Sequence, residues 1–480
     1  MDKSSSIFSR RRFIKTAGAA LPCIAVWGKA AADAPSRPNI VFLLTDDQRW
    51  DALGCMGNSI IQTPNLDQLA AEGTLFTHNF CTTSICMSSR ASLFTGLYTR
   101  CHGIDDFSLP LPPERFAYTY PALLRKAGYR TGFIGKWGLG GKLPAEEFDY
   151  FEGFEGQGKY FHEIDGKQVH LTKILGDKAL DFIKGCSNDK LFCLSVSFKA
   201  PHVQDEDHRQ FLYEPDLEEL YQKDQIPLPK TADDKFFQEQ SEFVQKSEGR
   251  IRWDKRFATP EMRQTSVKGY YRLVTGVDRV LGKLRAALQE AGLSDNTVIV
   301  FTSDNGFYLG EHGLAGKWLM HEESIRTPLI IFDPRQDAEQ RGRKISAMTL
   351  NIDAAPTLLD LAGVEIPSFL QGRSLLPLLR NEKMDWRQEW FYEHFFGYQG
   401  KIPRTVGIRT DRWKYVRYID PDPAVEEFYD IQDDPLEENN LIAVSEYQPL
   451  IGAMRDRVQA WEKQLQNWKL DPSYHWGDPL

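Results

Sequence analysis

One short apolar run, at residues 39–44, constrains the fold of this chain more than any other feature. The run reads Asn-Ile-Val-Phe-Leu-Leu and leads directly into Thr45, Asp46 and Asp47. A continuous apolar run of this length is typical of a central strand of a parallel sheet, which is buried on both faces. Similar runs alternate with helical patterns along the chain. The further strands are predicted at 75–80, 131–135, 191–196, 297–302 and 328–332, and the helices at 63–70, 120–127, 267–291 and 353–362. This alternation predicts an α/β fold, with a large doubly wound mixed sheet flanked by helices.

The pattern changes after about residue 380. Short alternating runs replace the continuous ones, at 390–394, 405–409, 413–418 and 427–429, and a helical pattern follows at 448–463. Alternation of apolar and polar residues is typical of strands with one buried face. We therefore expect an N-terminal domain at 33–380 and a smaller C-terminal domain at 381–480, with a four-stranded antiparallel sheet and a helix. The polar residues 203–264 are predicted to form a surface excursion with short helices.

The N-terminal segment has the features of an export signal. Residues 9–15 read Ser-Arg-Arg-Arg-Phe-Ile-Lys, which fits the twin-arginine pattern, and an apolar stretch and three alanines at 30–32 follow. We therefore predict that residues 1–32 are a signal peptide recognised by the Tat translocase. The protein would then be exported to a bacterial periplasm, with secretion as the alternative. A basic disordered arm is the other interpretation of this segment.

Charge and hydropathy exclude two classes of partner. The chain carries a net charge of −9; residues 1–32 contain six basic side chains and Asp2, a net charge of +5, so the remainder carries −14. An acidic protein has no long-range attraction for nucleic acid, and an anionic substrate must be attracted by charges within its site. No apolar run is long enough to span a membrane, so we predict no membrane span.

One of the seven cysteines stands apart from the others. Cys86 opens the run Cys-Met-Ser-Ser-Arg at 86–90, which leads into a helix-compatible segment that we expect to begin near Ser88. A thiol at a helix N-terminus has a lowered pKa, and an anion is favoured there; Arg90 lies one turn further along. A structural cysteine beside a surface arginine is the alternative. Cys23 lies in the predicted signal peptide, and five others are interpreted as buried thiols with room for one disulfide of unassigned pairing, Cys55, Cys81, Cys101, Cys186 and Cys193.

Acidic residues follow two of the predicted strands. Asp46 and Asp47 end the first strand, and Asp304 and Asn305 follow the strand at 297–302. In an open α/β sheet the carboxyl ends of the strands form the ligand-binding crevice, so these side chains are expected to meet. Three carboxylates at one point require a cation, and an all-oxygen set favours a hard ion such as Ca²⁺ or Mg²⁺. Turn capping by an adjacent aspartate pair is the alternative interpretation.

Basic residues are predicted at the same edge. Lys136 and His202 follow two other strands, the segment that contains Cys86 joins the same edge, and Arg90 and Lys317 complete the set. Together they are candidates for binding a tetrahedral oxyanion. Individually, a lysine is more often solvated and a lone histidine more often structural, so their shared location is the argument for the site.

These segments, taken in order, resemble the type I, formylglycine-dependent sulfatases of the alkaline-phosphatase superfamily. The resemblance extends from about residue 37 to residue 441. The segments that carry it are 39–47, the Cys-x-Ser-x-Arg run from 86 to Gly96, Gly-Lys-Trp at 135–137, Ala-Pro-His at 200–202, Ser-Asp-Asn-Gly at 303–306, Gly-Glu-His-Gly-Leu-Ala-Gly-Lys-Trp at 310–318, and the late segments 428–430 and 434–441. No single segment is decisive, but the ordered set is specific.

The resemblance implies a sulfuric ester hydrolase whose catalytic domain is residues 33–380. It implies that a maturation enzyme oxidises Cys86 to formylglycine (3-oxoalanine), whose hydrate attacks sulfur with one hydroxyl and releases sulfate with the other. One Ca²⁺ ion, with Mg²⁺ as the less favoured choice, would be bound by Asp46, Asp47, modified Cys86, Asp304 and Asn305. Arg90 would position formylglycine, Lys136 and Lys317 would bind sulfate oxygens, and His202, with or without Lys317, would protonate the leaving alcohol. A sulfated carbohydrate is the implied substrate.

The main departure from the family pattern is Gly138. Many members have a histidine at this point, thought to deprotonate the second hydroxyl, whereas this chain reads Lys-Trp-Gly-Leu-Gly at 136–140. His102, His312, His321 or Lys136 could replace it, and local loop hydrogen bonds are the alternative role of the three histidines. His321 and Arg326 could instead face the substrate, so the candidate substrate-binding residues are His102, His312, His321 and Arg326. A smaller departure is Ser88, where proline is commonest.

Two other functions remain open at this stage. A phosphonate or phosphate ester hydrolase can use the same scaffold, and Gly138 raises the possibility of a catalytically impaired glycan-binding relative. The C-terminal part also contains aromatic and basic residues that could line a sugar subsite or simply pack the sheet, namely Trp390, Tyr392, His394, Arg404 and Arg409.

Overall fold

A computed structural model of the protein describes residues 37–477. The predicted signal peptide and Cys23 lie outside the described residues. The strands, in chain order, are β1 Asn39–Asp46, β2 Thr74–Phe80, β3 Arg130–Lys136, β4 Tyr150–Phe154, β5 Phe161–Ile164, β6 Lys167–His170, β7 Phe192–Pro201, β8 Thr297–Ser303, β9 Tyr308–Leu309, β10 Ala315–Gly316, β11 Arg326–Phe332, β12 Arg343–Ile345, β13 Thr349–Leu350, β14 Glu389–His394, β15 Thr405–Thr410, β16 Trp413–Tyr418 and β17 Val425–Asp430.

The α-helices flank these strands on both sides. In chain order they are α1 Pro64–Glu72, α2 Cys86–Thr95, α3 Thr99–His102, α4 Pro113–Phe116, α5 Tyr120–Lys126, α6 Leu171–Lys184, α7 Asp234–Gln238, α8 Glu242–Gln245, α9 Glu248–Arg256, α10 Pro260–Glu290, α11 Glu322–Ile325, α12 Ala354–Leu361, α13 Leu376–Leu379 and α14 Gln448–Gln466. Within residues 37–477, no helix is both long and apolar enough to cross a membrane.

The large sheet is mixed, as the sequence predicts. Its strand order is β12-β2-β11-β8-β1-β7-β3-β4, with β13 also paired to β2. The central strand β1 lies parallel to β7 and β8, and β3 is parallel to β7 and β4. The strand β11 reverses direction, because it is antiparallel to both β8 and β2. The α/β fold class with helices on both faces is therefore confirmed.

Both faces of the large sheet are buried because two apolar clusters cover it. In β1, Ile40, Phe42 and Leu44 point into one cluster, and Val41 and Leu43 point into the other. This division follows from the two-residue period of a strand, in which successive side chains point to opposite faces. Helices α2, α5 and α12 contribute to the first cluster, and α1, α6 and α10 contribute to the second. The continuous apolar character of the 39–44 run is thereby explained.

The C-terminal part is a four-stranded antiparallel meander in the order β14-β15-β16-β17, with α14 packed against it. Its core is continuous with that of the large sheet, because Phe80 of β2 stacks on Trp390 of β14 at 5.2 Å between ring centroids. The backbone N–H of Glu393 also donates to the carbonyl of Thr82 at 3.1 Å. The sheet and helix match the predicted fold class; the boundary at residue 380 stays a prediction.

Several elements differ from the sequence-based expectations. The strand β4, the β5–β6 hairpin and α6 were not anticipated, since β4 is short and contains Gly153, and the hairpin is largely polar. Helix α10 begins at Pro260 rather than 267. Thr259 caps it, with its Oγ1 accepting from the Met262 N–H at 3.2 Å, and Pro260 occupies the first turn. The first turns of α10 are mostly polar, so apolar periodicity did not reveal them.

Candidate active site

Polar side chains lie at the ends of four neighbouring strands of the large sheet. Asp46 is the last residue of β1, and Asp304 and Asn305 follow β8. Lys136 ends β3, and His202 follows β7. Because these strands are parallel neighbours, their carboxyl ends lie at one edge of the sheet. All five side chains are buried, so the sequence-predicted crevice is a preformed cluster.

Cys86 is the first residue of α2. Ile85 has an extended backbone and its carbonyl accepts from the Ser89 N–H at 3.0 Å, which starts the helix two residues before the predicted position. All ten residues of α2 are buried, so the helix runs through the core rather than over the surface. Cys86 therefore lies at the positive end of a buried helix, where backbone N–H groups favour an anion.

Arg90 forms hydrogen bonds to groups on or next to all four of these strands. Its Nε donates to Asp304 Oδ2 at 2.9 Å, and its Nη2 donates to Asp46 Oδ2 at 3.2 Å. Its Nη1 donates to the Lys136 carbonyl at 2.9 Å and to the Ser197 hydroxyl of β7. The side chain is fully buried. A planar, permanently charged guanidinium can make these contacts in several directions at once, which a lysine could not.

Basic side chains balance the three carboxylates of the cluster. Lys136 Nζ donates to Asp46 Oδ2, and Lys317 Nζ donates to Asp47 Oδ1. Lys317 Nζ also lies 3.9 Å from Asp46 Oδ1, and Arg90 is the third cation. The carboxylates that the sequence analysis expected a metal to neutralise are thus already paired within the protein.

The surroundings shift the pKa values of these acids in different directions. Burial would raise the pKa of Asp46, but the positive charges of Lys136, Arg90 and Lys317 outweigh it and lower the pKa below its ordinary value. Burial, reinforced by the charge of Asp46, raises the pKa of Asp304 to about 6 although Arg90 opposes it. Burial also raises the pKa of Asp47. Asp46 is therefore the most firmly ionised member of the cluster.

His202 is held in one orientation by its neighbour. Its Nδ1 donates to the Val203 carbonyl at 2.7 Å, which leaves Nε2 facing the cluster at 3.7 Å from Asp47 Oδ2. Burial lowers the pKa of His202 well below its ordinary value, with Lys317 and Lys136 adding to the effect. A neutral imidazole that donates through Nδ1 has a free lone pair on Nε2, directed towards the carboxylates.

Two buried oxygens in the cluster lack partners and fit a bound cation. Among the described residues, no hydrogen-bond donor reaches Asp46 Oδ1 or Asn305 Oδ1. Asp46, Asp47 and His202 also offer ligand atoms that lie within 4.8 Å of one another. Orphaned acceptors of this kind are costly unless an ion or water satisfies them. The residues present fit a divalent cation, with His202 an additional candidate ligand that the sequence-based set did not contain.

A cleft of about 170 Å³ leads from the surface to this cluster. Cys86, Asp47, His202 and Lys317 lie at its floor. Gln157 is also at the floor, because its Nε2 lies 3.9 Å from Cys86 Sγ and its Oε1 accepts from Lys136 Nζ at 2.5 Å. Cys86 is thus buried at the inner end of the cleft, whose lining it shares with the basic side chains of Lys317 and His202. Such a floor can present a nucleophile to a tetrahedral anion and bind the oxygens of that anion.

Sequence reasoning missed two polar residues of the site, Gln157 and Lys199. Lys199 is buried, donates to the Val203 carbonyl at 3.0 Å and lies 5.0 Å from the Tyr160 ring centroid. Burial and the charge of Lys136 lower the pKa of Lys199 to about 8. Its contact supports the carbonyl that orients His202. Gln157 lies in a loop without a recognisable motif, so no sequence feature indicated it. Lys199 directly precedes the Ala-Pro-His segment, and that position was the one sequence feature that could have indicated it.

Arg90 explains why no side chain is present at residue 138. Gly138 has a φ of +78°, and a Cβ built on it would lie 2.5 Å from Arg90 Cδ and 3.1 Å from Arg90 Nε. The glycine therefore provides both the left-handed backbone and the space for the guanidinium stem. Of the proposed replacements for the missing histidine, Lys136 lies in the cluster.

The candidate substrate-binding residues lie elsewhere. His102 is buried, with Nε2 3.1 Å from the Ser92 hydroxyl, and His312 stacks on His321 at 4.5 Å between ring centroids. Arg326 donates to the Thr77 carbonyl and lies 3.9 Å from the Trp50 ring centroid. None of these four described residues lines the cleft.

The C-terminal residues considered for a sugar subsite are mostly packed into the protein. Trp390, Tyr392 and His394 are fully buried. Arg409 donates to Glu322 at 3.0 Å within the core, and Arg404 forms an exposed ion pair with Asp420. Sheet packing, the alternative interpretation, accounts for the three buried rings.

The six cysteines of the described residues are all unpaired thiols. Burial raises the pKa of Cys81 above its ordinary value and that of Cys193 to about 12, so these thiols are unreactive. Cys86 differs from them in lining an open cleft.

Comparisons with known proteins agree with this geometry. A family model described as Sulfatase matches residues 38–364, and one described as N-sulphoglucosamine sulphohydrolase, C-terminal, matches residues 310–464. The N-acetylglucosamine-6-O-sulfatase of Bacteroides thetaiotaomicron is 33% identical, across 90% of this chain and 87% of that protein.

Solved structures give the same result. A protein solved in complex with its substrate D-glucosamine-2-N,6-O-disulfate is 31% identical, with a TM-score of 0.77 over 92% of this chain and 100% of that chain. A phosphonate monoester hydrolase from Silicibacter pomeroyi has a TM-score of 0.73 over 90% of this chain and 96% of that chain, but at 24% identity it shares only the fold. The family match covers more than half of the chain. The chain therefore belongs to the sulfatase family of the alkaline-phosphatase superfamily and is a sulfuric ester hydrolase.

Proposed function

We propose that this sulfatase removes 6-O-sulfate groups from hexosamine residues of sulfated glycans. The observation that carries the proposal is Cys86 at the floor of a narrow cleft, flanked by Lys317, His202 and Gln157. A 6-O-sulfate is attached to an exocyclic carbon and projects from the sugar ring, so it can reach a nucleophile at the bottom of such a cleft. A curated sequence and a solved structure, each more than 30% identical, support the sugar class, since the sequence is named a 6-O-sulfatase and the structure contains a 6-O-sulfated glucosamine.

The proposal includes two groups that the chain acquires after synthesis. Oxidation of Cys86 by a maturation enzyme would give the aldehyde formylglycine, and addition of water would give its hydrate, with one hydroxyl to attack sulfur and one to expel sulfate. A divalent cation, for which we propose Ca²⁺, would act as a Lewis acid towards the sulfate oxygens. Asp46, Asp47, Asp304 and Asn305 are the proposed protein ligands, and the orphaned oxygens of Asp46 and Asn305 support this choice.

The remaining side chains orient the reacting groups. Lys136 and Lys317, which pair with Asp46 and Asp47, are proposed to bind sulfate oxygens. Arg90 holds Asp46 and Asp304 in place beneath the nucleophile. His202 presents Nε2 to the cleft. Because the neutral ring carries its proton on Nδ1, we propose that Nε2 first takes up a proton from solvent and then passes it to the leaving alcohol oxygen.

We also propose that the protein works outside the cytoplasm. The twin-arginine pattern at residues 9–15 and the alanines at 30–32 support export by the Tat translocase to the periplasm after removal of residues 1–32.

Sulfate release from matched sugars tests the proposed function. N-acetylglucosamine 6-sulfate is expected to be hydrolysed with a kcat/KM at least about tenfold above those of N-acetylglucosamine 3-sulfate and glucosamine N-sulfate, because only the exocyclic ester reaches the cleft floor. Ion chromatography of released sulfate gives the rates. A phenylphosphonate monoester, measured in parallel, separates sulfatase from phosphonate hydrolase activity. Equal turnover of all sulfate positions would contradict the assignment of the 6-O-ester.

The cation site is tested by thermal unfolding rather than by turnover. Ca²⁺ at about 100 times its Kd is expected to stabilise the protein by about 2.7 kcal/mol, because it binds the folded state alone. The Asp46→Asn variant should lose this stabilisation, whereas Asp411→Asn, at an exposed position, should keep it. A calcium-induced rise in Tm that is the same in Asp46→Asn as in the unmodified protein would show that the ion binds elsewhere.

A further inference from the structure

Three aromatic side chains form a rim at the mouth of the cleft. Phe107 comes from the loop after α3, and Phe396 and Tyr398 come from the loop between β14 and β15. The rings of Phe107 and Phe396 meet edge to face at 5.3 Å, and those of Phe396 and Tyr398 lie 5.9 Å apart. We refer to these three residues as the aromatic rim.

Two of the three rings of the aromatic rim are exposed, and Phe396 between them is half-buried. Phe107 is 40% exposed and Tyr398 is 42% exposed, which places both among the few large apolar side chains of the described residues that face solvent. Exposed aromatic groups that adjoin a cleft are typical of ligand-binding surfaces rather than of packing. The three rim residues line the same cleft as Cys86, so a group bound at the rim would adjoin a group bound at Cys86.

Backbone hydrogen bonds hold both rim loops in place. The Gly140 N–H donates to the Leu109 carbonyl at 3.1 Å, which fixes the Phe107 loop against residues 138–141. The Ile402 N–H donates to the Gly397 carbonyl at 3.2 Å, and the Glu248 N–H donates to the Lys401 carbonyl at 2.9 Å. The rim is therefore preformed, and a ligand that stacks on it does not have to order these loops first.

The charges beside the aromatic rim are already paired. Arg252 is the basic residue of the outer cleft wall, and it donates to Asp205 at 2.9 Å and to Glu248 at 2.8 Å. Deeper in the cleft, Lys317 pairs with Asp47. Among the described residues that line the cleft, no Arg or Lys lacks a carboxylate partner. An additional anionic group at the rim would meet two carboxylates without a free cation to bind it.

We propose that the aromatic rim is a subsite for an uncharged sugar ring linked to the sulfated hexosamine. The apolar C–H face of a neutral pyranose fits the faces of Tyr398 and Phe107, and the paired charges of the outer wall disfavour a uronate or a second sulfate at that position. The proposal rests on the proposed hexosamine sulfatase activity and narrows its substrate to glycans with a neutral neighbouring sugar. Alternating uronate-containing glycans are thereby disfavoured.

Three substrates that differ in one group test the subsite. They are N-acetylglucosamine 6-sulfate, the same residue linked to galactose, and the same residue linked to galacturonic acid, in which a carboxylate replaces the galactose hydroxymethyl group. We expect kcat/KM for the galactose disaccharide to exceed that of the monosaccharide about fivefold. The gain should come mainly from a lower KM, because one stacked sugar ring adds binding energy of about that size. The galacturonic acid disaccharide should show no such gain.

Variants of the aromatic rim test whether its side chains cause the higher kcat/KM of the galactose disaccharide. In Phe107→Ala and Tyr398→Ala, the ratio of disaccharide to monosaccharide kcat/KM should fall to about one, the value without stacking. Leu228→Ala removes another exposed apolar side chain, 68% exposed and outside the cleft lining, and should keep the fivefold ratio. An unchanged ratio in both rim variants, or an equal gain for galacturonic acid, would overturn the subsite. Absence of monosaccharide turnover would instead refute the proposed hexosamine sulfatase activity.

Discussion

Replacing Cys86 with alanine is expected to lower sulfate release by a factor on the order of 10⁴ or more, to the background of the assay. Cys86 is the nucleophile precursor at the cleft floor, and neither Gln157 nor Lys317 can form the covalent sulfate intermediate in its place. The loss should appear in kcat, because the residues that bind the sugar are untouched. Single-turnover sulfate release by the variant and by the unmodified enzyme gives the comparison.

Two controls separate loss of the nucleophile from loss of structure. Cys186→Ala removes a half-buried thiol whose Sγ lies 3.5 Å from Arg130 Nη1, and it should retain activity within about twofold. Cys86→Ser restores a single hydroxyl, which can accept sulfate but has no second hydroxyl to expel it, so any turnover should stop after one equivalent. Steady turnover by Cys86→Ala would show that the nucleophile is another residue.

Mass spectrometry examines the oxidation of Cys86 directly. Trypsin yields the peptide from Trp50 to Arg90, which has no internal Lys or Arg. After co-expression with a maturation enzyme, the peptide should lose the mass difference between a CH₂SH and a CHO group. A thiol that stays intact in active enzyme would contradict the formylglycine mechanism.

The sequence predicted the fold and the site edge because both depend on local pattern. A continuous apolar strand that ends in polar residues is recognisable in one dimension, and parallel strands necessarily bring their carboxyl ends together. Asp46, Asp304, Lys136 and His202 were located by this reasoning, and the structure brings them together.

Features that depend on long-range contacts could not be predicted in the same way. Arg90 joins strands from four separate parts of the chain, and nothing near residue 90 specifies those partners. The predicted surface excursion at 203–264 contains short helices as expected, but Asp205, Glu248 and Arg252 also form a wall of the cleft. Polar residues without periodicity are compatible with either a solvated loop or a substrate-facing wall.

The positions of His312 and His321 also depend on long-range contacts and could not be predicted from the sequence. His312 and His321 lie near the motif lysine in sequence, yet they stack on each other, and the Tyr308 hydroxyl lies 2.6 Å from His321 Nδ1. Burial lowers the pKa of His312 to about 4. Proximity in sequence to Lys317 therefore did not translate into a position in the cleft.

Restoring the histidine that many family members have at residue 138 is expected to inactivate this enzyme. Gly138 has a left-handed backbone, where any other residue costs about 1–2 kcal/mol, and a Cβ there would lie 2.5 Å from Arg90 Cδ. Relieving that contact requires Arg90 to move, although it is fully buried and bound to Asp46 and Asp304. Overpacking of this kind costs a further 1–3 kcal/mol or so. Gly138→His should therefore lose about 2–5 kcal/mol of stability and about 100-fold in kcat.

Matched variants distinguish backbone strain from the displacement of Arg90. Gly128 also has a left-handed backbone, with φ +93°, but a Cβ there would meet nothing within 4 Å. Gly128→Ala should cost only about 1–2 kcal/mol in thermal unfolding and leave kcat unchanged, whereas Gly138→Ala should lower both stability and kcat. A gain of activity in Gly138→His would mean that Arg90 can move without loss of function. It would also mean that the absence of a histidine at residue 138 limits the rate of sulfate release. A loss in Gly138→His and Gly138→Ala, but not in Gly128→Ala, would instead establish that this chain uses the space of the family histidine to seat Arg90.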